Sequence, residues 1–271
     1  MNRTRILLTG GTGFLGKRLC AAFQREGHAV HLFKRGDAVH DTIKAGRYDV
    51  VIHCATCYGR DGECPATMRK TNVELPVAIF EEAVRSGVTA FINTDTALPS
   101  ETNEYARTKK EFRAYMEAHS AKIKGINLEL EQFFGAHDNE KKLSTFVIRQ
   151  LLKGVDSLPL SPGQQKRHFL FVEDVISAYL CVLSNLESFQ NGFVNFQVGT
   201  PEAITVEDFV RTVKRIVGNE KTILNFGAIP YRKNEFMNSI MDTSKMEQFG
   251  WSTKFTLEEG LRLTIEEERR V

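Results

Sequence analysis

Tyr105 and Lys109 stand four residues apart in a stretch that reads as a helix from about Asn103 to His119. That spacing puts both side chains on one helix face, a turn from each other. A phenol titrating near pH ~10 is a poor proton donor or acceptor at neutral pH, and a neighbouring ammonium favours its ionised form. The pair therefore reads as an acid/base, Tyr105, whose pKa is lowered by Lys109. Read alone, Tyr-x-x-x-Lys is a common surface pair. Its position gives it weight, because Asn93-Thr94-Asp95-Thr96 closes the short apolar run that begins at Ala90. That is the carboxyl end of a strand, where open α/β sheets bind ligands. From there Thr94 can donate a hydrogen bond to a substrate oxygen while Tyr105 exchanges the proton. A turn cap is the alternative for Thr94.

Chemistry at that point needs a second component, and the amino-terminal region supplies a cradle for it. Thr9-Gly10-Gly11-Thr12-Gly13-Phe14-Leu15-Gly16 follows the apolar run Ile6-Leu7-Leu8 and opens a helix that reaches to about Gly27. Glycines at 10, 13 and 16 permit a tight turn and close approach of backbone N–H groups to a pyrophosphate, while the helix start adds partial positive charge. A plain strand-to-helix turn can look similar. Here the strand, the helix and a second strand over Ala29–Phe33 fit one βαβ unit, which favours a dinucleotide. An oxidised nicotinamide would also favour the Tyr105 phenolate. An NAD site wants an acid at the end of that second strand, whereas an NADP site wants a cation. The chain has Lys34-Arg35-Gly36 there, so NADP(H) is preferred and NAD(H) remains open, the alternative being a solvated basic turn beside Asp37.

Positive and negative side chains number 36 and 34, a net charge of +2 over 271 residues. That balance gives no support for nucleic-acid or membrane-surface binding. No apolar run approaches the length of a signal or membrane segment, and the reading is a cytoplasmic protein. Cys20, Cys54, Cys57, Cys64 and Cys181 are scattered, as free thiols in a reducing compartment would be. His53, Cys54, Cys57 and Cys64 lack a second ligand pair at zinc-like spacing, so no metal is expected.

Strand and helix alternate onward: a buried run over 49–55, a helix from about Asn72 to Ser86, a strand over 90–93, the helix of Tyr105 and a strand over 125–130. The pattern predicts an α/β fold with a doubly wound parallel sheet. Beyond Gly135 the regularity loosens around Pro159, Pro162 and Gly163. The expected division is a dinucleotide-binding domain over 1–135 to which 168–186 returns, and a smaller substrate lobe formed by 136–167 and 187–271. Its last helix opens on the capping box Thr256-Leu257-Glu258-Glu259.

Taken in order, these segments carry a resemblance: Thr9-Gly10-x-x-Gly13-x-x-Gly16, Asp49-Val50-Val51-Ile52-His53-x-Ala55, Asn72, Thr94, Tyr105-x-x-x-Lys109, Gly135-Ala136-His137-Asp138, Arg167-His168-Phe169-x-Phe171-Val172-x-Asp174, and Asp242-Thr243-Ser244-Lys245 with Gly250-Trp251. Nearly end to end, the chain resembles the extended short-chain dehydrogenase/reductases of the nucleotide-sugar epimerase, dehydratase and reductase superfamily. The resemblance implies a Rossmann fold, a nucleotide-diphosphate sugar as substrate, and catalysis by Thr94, Tyr105 and Lys109, with Lys109 also holding the nicotinamide ribose. It places Gly10, Thr12, Gly13, Phe14, Leu15, Gly16, Lys34, Arg35, Cys54, Ala55 and Thr56 at the cofactor. Asp95, Thr96, Gln132 and His137 fall at the substrate, and Arg167 and Arg232 match a pair that clamps its diphosphate through bidentate forks. Helices 72–86 and 103–119 resemble those that pair relatives into homodimers, although apolar helix faces are equally core.

Departures narrow the reading. Tyr105 follows Thr94 by only eleven positions, and His168 stands where relatives usually carry Asp. Dehydratases of this type place a Glu after the Thr-Asp pair, where this chain has Thr96. Epimerase-reductases of the fucose pathway place a Cys there, paired with a His at the position of His137. The block 93–96, the short spacing and the two cations look most like bacterial sugar-nucleotide 4-ketoreductases of the CDP-abequose and CDP-paratose synthase type. The implied reaction is NADPH-dependent reduction of a nucleotide-linked 4-keto-6-deoxyhexose for surface-polysaccharide synthesis. The alternatives are a 4-epimerase that retains bound NAD, and a non-catalytic NADP-binding sensor, which would normally lose Tyr105 or Lys109.

Overall fold

Short apolar runs broken by glycine turns build the framework of this chain, for which a computed structural model describes residues 3–270. In chain order the elements are β1 (Arg5–Thr9), α1 (Phe14–Arg25), β2 (Ala29–Phe33), α2 (Val39–Gly46), β3 (Val50–His53), α3 (Pro65–Arg69), a π turn (Lys70–Glu74), α4 (Leu75–Arg85), β4 (Ala90–Thr96), α5 (Glu104–His119) and β5 (Lys124–Leu130). There follow β6 (Gln132–Phe134), α6 (Leu143–Lys153), β7 (Ser157–Leu160), β8 (Lys166–Arg167), β9 (Phe169–Phe171), α7 (Val172–Ser184), β10 (Gly192–Val198), β11 (Ile204–Thr205), α8 (Val206–Val217), β12 (Ile223–Phe226), α9 (Ser244–Gln248) and α10 (Leu257–Glu268).

The chain divides into two compact units. The first comprises the chain up to Leu130 with Ile176–Gln197 and Ser244–Trp251. It holds a six-stranded parallel sheet in the order β10-β5-β4-β3-β1-β2, the doubly wound arrangement that the alternating pattern predicts. Because strand side chains alternate between faces, Leu7, Val51 and Phe91 point to one side, where Ile79, Phe80, Phe112 and Met116 of α4 and α5 bury them. Each such buried side chain contributes about 1.5–3 kcal/mol.

The second unit comprises Glu131–Val175, Val198–Thr243 and Ser252 onward. Small two-stranded sheets pair β6 with β9, β7 with β12 and β8 with β11. Phe169 stacks on Phe209 at 3.9 Å between ring centroids, and Phe171 meets Phe134 and Phe255. The capping box at Thr256 is formed, the Thr256 hydroxyl accepting from Glu259 N while the Glu259 carboxylate accepts from Thr256 N.

Two local expectations are corrected. Phe169–Phe171 pairs with β6 rather than rejoining the main sheet, whose sixth strand is β10. The helical run around Asn72 begins at Pro65, so Asn72 lies within a π turn instead of opening a helix.

Candidate active site

The turn from β1 to α1 approaches its neighbours so closely that side chains are excluded. Gly10 has φ +69°, and a Cβ there would lie 2.6 Å from Ala55 N, while one at Gly16 would strike the Gly10 carbonyl. Phe14 and Leu15 form the first turn of α1, which has no side-chain cap and no acid in that turn. Its amino end, with Thr12 and Gly13 exposed beside it, fits the pyrophosphate of a dinucleotide. Thr9 Oγ1 accepts hydrogen bonds from Cys54 N and Ala55 N, both at 3.2 Å, and pairs with His53 Nδ1 at 2.8 Å, so the ends of β1 and β3 are locked together. At the end of β2, Lys34 and Arg35 are exposed, and the nearby Asp37 carboxylate accepts from Lys34 N at 2.7 Å. The one acid beside the cations is thus engaged in closing the turn.

Thr94 extends from β4 toward Cys54 and toward a residue that the spacing of motifs does not single out. Its Oγ1 donates to Cys54 Sγ at 3.1 Å and lies 2.6 Å from the Tyr179 hydroxyl of α7. Burial pushes the Cys54 thiol up to about 11. Asn103 caps α5 by accepting from Ala106 N, which fixes the start of the helix carrying Tyr105 and Lys109. Asn72, fully buried, binds both backbone groups of Cys57 and donates to Thr108 Oγ1 at 3.0 Å, so the segment after β3 is tied to the residue preceding Lys109. The Tyr58 ring packs on the Tyr105 ring at 4.8 Å, and Arg60 lies over Tyr58 at 4.5 Å.

Burial pushes the Tyr105 phenol well above its ordinary pKa, with Tyr58 and Asp95 adding to the effect and a hydrogen bond from Thr96 opposing it. The lowering expected from Lys109 is not found, and desolvation governs the shift. Lys109 is itself buried, which lowers its own pKa against the pull of Asp95. In this state Tyr105 holds its proton.

One residue further along β4 the surroundings change. Asp95 points to the opposite face of the strand, where its carboxylate accepts from Asn127 Nδ2 at 3.1 Å, Lys110 Nζ at 3.3 Å and Thr96 N at 2.7 Å. Lys110 also donates to Glu129 at 2.5 Å and to the Thr96 carbonyl. Arg113, Asn195 and Gln197 complete the shell of Glu129, and Asn93 donates to Asn127 at 2.7 Å. Residues 93 and 95 of β4, 127 and 129 of β5, and 195 and 197 of β10 thus form a polar ladder. Asp95, expected at the substrate, is spent within it, while Thr96 lies on the Tyr105 side.

The remaining expected substrate residues belong to the second unit. Gln132 pairs with Phe169 in β6 and is partly buried. His137 is exposed with φ +64°, and its N–H donates to Glu268 at 2.6 Å. Arg167 is buried, with its guanidinium 2.7 Å from Glu235 and 3.6 Å from Glu131. An incoming diphosphate would have to displace Glu235 from that fork. Arg232 is exposed and close enough for its charge to depress the Arg167 pKa, although burial is the larger cause. His168 is buried, its N–H donating to Glu131 and its Nδ1 2.9 Å from the Thr200 carbonyl. Glu131 was not marked by any motif. It also accepts from Ser239 Oγ at 2.5 Å, and burial raises its pKa.

Residues 6–199 match the NAD dependent epimerase/dehydratase family. The CDP-abequose synthase of Salmonella muenchen is 29% identical, the alignment covering 95% of this chain and 96% of that protein. The UDP-glucose 4-epimerase of Thermotoga maritima, solved with UDP-glucose, superposes with a TM-score of 0.85 at 23% identity, covering 98% of this chain and 99% of that one. RMD from Pseudomonas aeruginosa, complexed with NADPH, gives a TM-score of 0.81 at 18% identity over 99% of this chain and 100% of the other. These structural likenesses establish the Rossmann fold. Among the described residues no helix is long and apolar enough to cross a membrane.

Proposed function

The chain belongs to the NAD dependent epimerase/dehydratase family, and on that premise we propose that it reduces a nucleotide-linked 4-keto-6-deoxyhexose at the expense of NADPH. The observation that carries this reading is the end of β2, where Lys34 and Arg35 are exposed and Asp37 is held by the turn. A cation pair suits a ribose 2′-phosphate, and NADPH serves net reduction. The resemblance to CDP-abequose synthase supports the same substrate class.

The glycine turn and the start of α1 hold the pyrophosphate, and Lys109 holds the nicotinamide ribose. When bound, the cofactor supplies the hydride that the carbonyl carbon takes up. Thr94 donates a hydrogen bond to the carbonyl oxygen, stabilising the charge that develops there. Tyr105 gives its proton to that oxygen, completing the alcohol, and is reprotonated from solvent. A raised phenol pKa keeps Tyr105 protonated until charge develops on the substrate oxygen. Arg232 is assigned to the diphosphate of the substrate, with Arg167 as its partner. Dehydration is not expected, because Thr96 cannot act as a carboxylate base and the Asp95 carboxylate is already taken up.

The test is incubation with NADPH and the 4-keto-6-deoxy sugars of CDP, dTDP, GDP and UDP, following loss of NADPH absorbance. Turnover is expected, fastest with the CDP sugar, and Lys34→Ala with Arg35→Ala should raise the NADPH KM by about 10-fold or more while sparing NADH. No consumption with any of the four, or interconversion of nucleotide hexoses by protein carrying its own tightly bound NAD, would overturn the reading in favour of the epimerase.

A further inference from the structure

The buried residues of α7 are mostly aliphatic, apart from Asp174 in its first turn, which accepts from Lys254 N and Phe255 N, and Tyr179 at its centre. Val172, Val175, Ile176, Val182 and Leu183 are buried, and among them Tyr179 is 0% exposed. A Phe would fill the same space without the cost of burying a hydroxyl, so the hydroxyl must be offset by what it binds. Its partners are Thr94 Oγ1, at 2.6 Å, and the Cys54 thiol, so the three groups close a ring in which Tyr179 can donate to Thr94, Thr94 to sulfur and the thiol to Tyr179.

The count of hydrogens limits how this contact can run. A threonine hydroxyl has one proton and two lone pairs, and a thiol sulfur is a weak acceptor. Thr94 already donates toward Cys54 Sγ at 3.1 Å. Its lone pair is therefore what Tyr179 meets, and Tyr179 is the donor. With Tyr179 donating, the Thr94 proton can leave the sulfur for a better acceptor without any other bond being broken. Were the direction reversed, Thr94 would have no proton to offer a substrate.

We propose that Tyr179 is a positioning residue: its buried hydroxyl donates to Thr94 Oγ1, fixes the Thr94 rotamer and leaves the Thr94 proton directed at the substrate carbonyl oxygen. This rests on the assignment of Thr94 and Tyr105 made above. No proton is transferred along this chain, since Tyr105 alone gives one up. The Tyr179 to Thr94 bond strengthens as negative charge builds on the oxygen that Thr94 holds, because successive hydrogen bonds polarise one another.

The experiment is a double-mutant cycle on kcat with NADPH and a 4-keto sugar that the parent turns over. Tyr179→Phe keeps the ring and should lower kcat about 10-fold, with KM and NADPH affinity within about twofold of the parent. In the Thr94→Val background, Tyr179→Phe should change kcat no further. Thr94→Ser, which retains the hydroxyl but loses the stiffness of a β-branched side chain, should stay within about threefold of the parent because Tyr179 still holds it. Full kcat in Tyr179→Phe, losses that simply add in the double variant, or a Thr94→Ser loss equal to that of Thr94→Val would each overturn the proposal. The last of these does not depend on whether Tyr179→Phe folds. If Thr94→Val itself retains full activity, it is the reading of the site that fails.

Discussion

The two faces at the carboxyl end of β4 carry polar residues in equal measure but use them differently. On one face Thr94 and Thr96 meet Tyr105, Tyr179 and Cys54, all neutral hydrogen-bonding groups that can exchange one partner for another. On the other, Asp95 and Glu129 are enclosed by Lys110, Arg113 and four amide side chains, with their charges paired. Strand alternation separates the hydrogen-bond partners of the two faces, although the Asp95 charge still reaches Tyr105 and Lys109. A substrate oxygen can enter the first network by displacing a sulfur from one hydroxyl, whereas entry into the second would break ion pairs in a buried setting, where removing a partner is costly.

The comparison is broken most directly at Tyr105. Tyr105→Phe should lower kcat by about 10²–10⁴-fold, the usual contribution of a positioned acid, with NADPH affinity and melting temperature close to the parent. Steady-state rates beside a cofactor titration check this, and a near-normal rate would move the chemistry elsewhere. Lys110→Met should do the opposite. It strips a cation from two buried carboxylates and should cost about 3–5 kcal/mol of stability, while kcat per folded molecule stays within about threefold. Urea unfolding with activity normalised to folded protein separates the two effects, and equal damage to rate would mean that the faces are not independent.

Acid titration sharpens the comparison with a smaller effect. Burial works against ionisation of Glu129, but Lys110, Asn195 and Arg113 outweigh it and hold its pKa below the ordinary 4.5. A carboxyl whose folded pKa is depressed stabilises the fold above its unfolded pKa and loses that contribution as pH falls through the folded value. The stability gap between the parent and Glu129→Gln should therefore be widest near neutrality and shrink as pH drops below 4.5. A gap that grows in acid would show that the carboxylate is not held as described.

How much of this was legible in the sequence depended on the range of the interactions. The glycine turn, the strand ending in Asn93-Thr94-Asp95-Thr96 and the helix opened by Asn103 rest on local rules, and these elements formed where the spacing put them. The polar ladder was not legible. Asn127 and Glu129 interrupt an apolar strand visibly enough, but their partners Asn195 and Gln197 lie 66 to 68 positions further on, and no local rule pairs them. Tyr179 left a weaker trace as a polar tip among the aliphatic residues at the centre of its helix. That pattern signals a partner without naming it. Phe169–Phe171 reads as a core strand wherever it pairs, so its place outside the main sheet could not be taken from composition.

The π turn at Lys70–Glu74 bears on how this part of the molecule can change. A π turn accommodates one residue more than the α-helical turn it replaces, and one residue corresponds to about 100° of rotation. The turn therefore sets the angular phase between α3, which buries Met68, and α4, which buries Ile79 and Phe80, and within it Asn72 faces Cys57 and Thr108. Removing any single residue from this stretch would give a more regular helix whose two halves could no longer both face their targets. Chain length here is fixed more tightly than residue identity, and a substitution is better tolerated than a deletion.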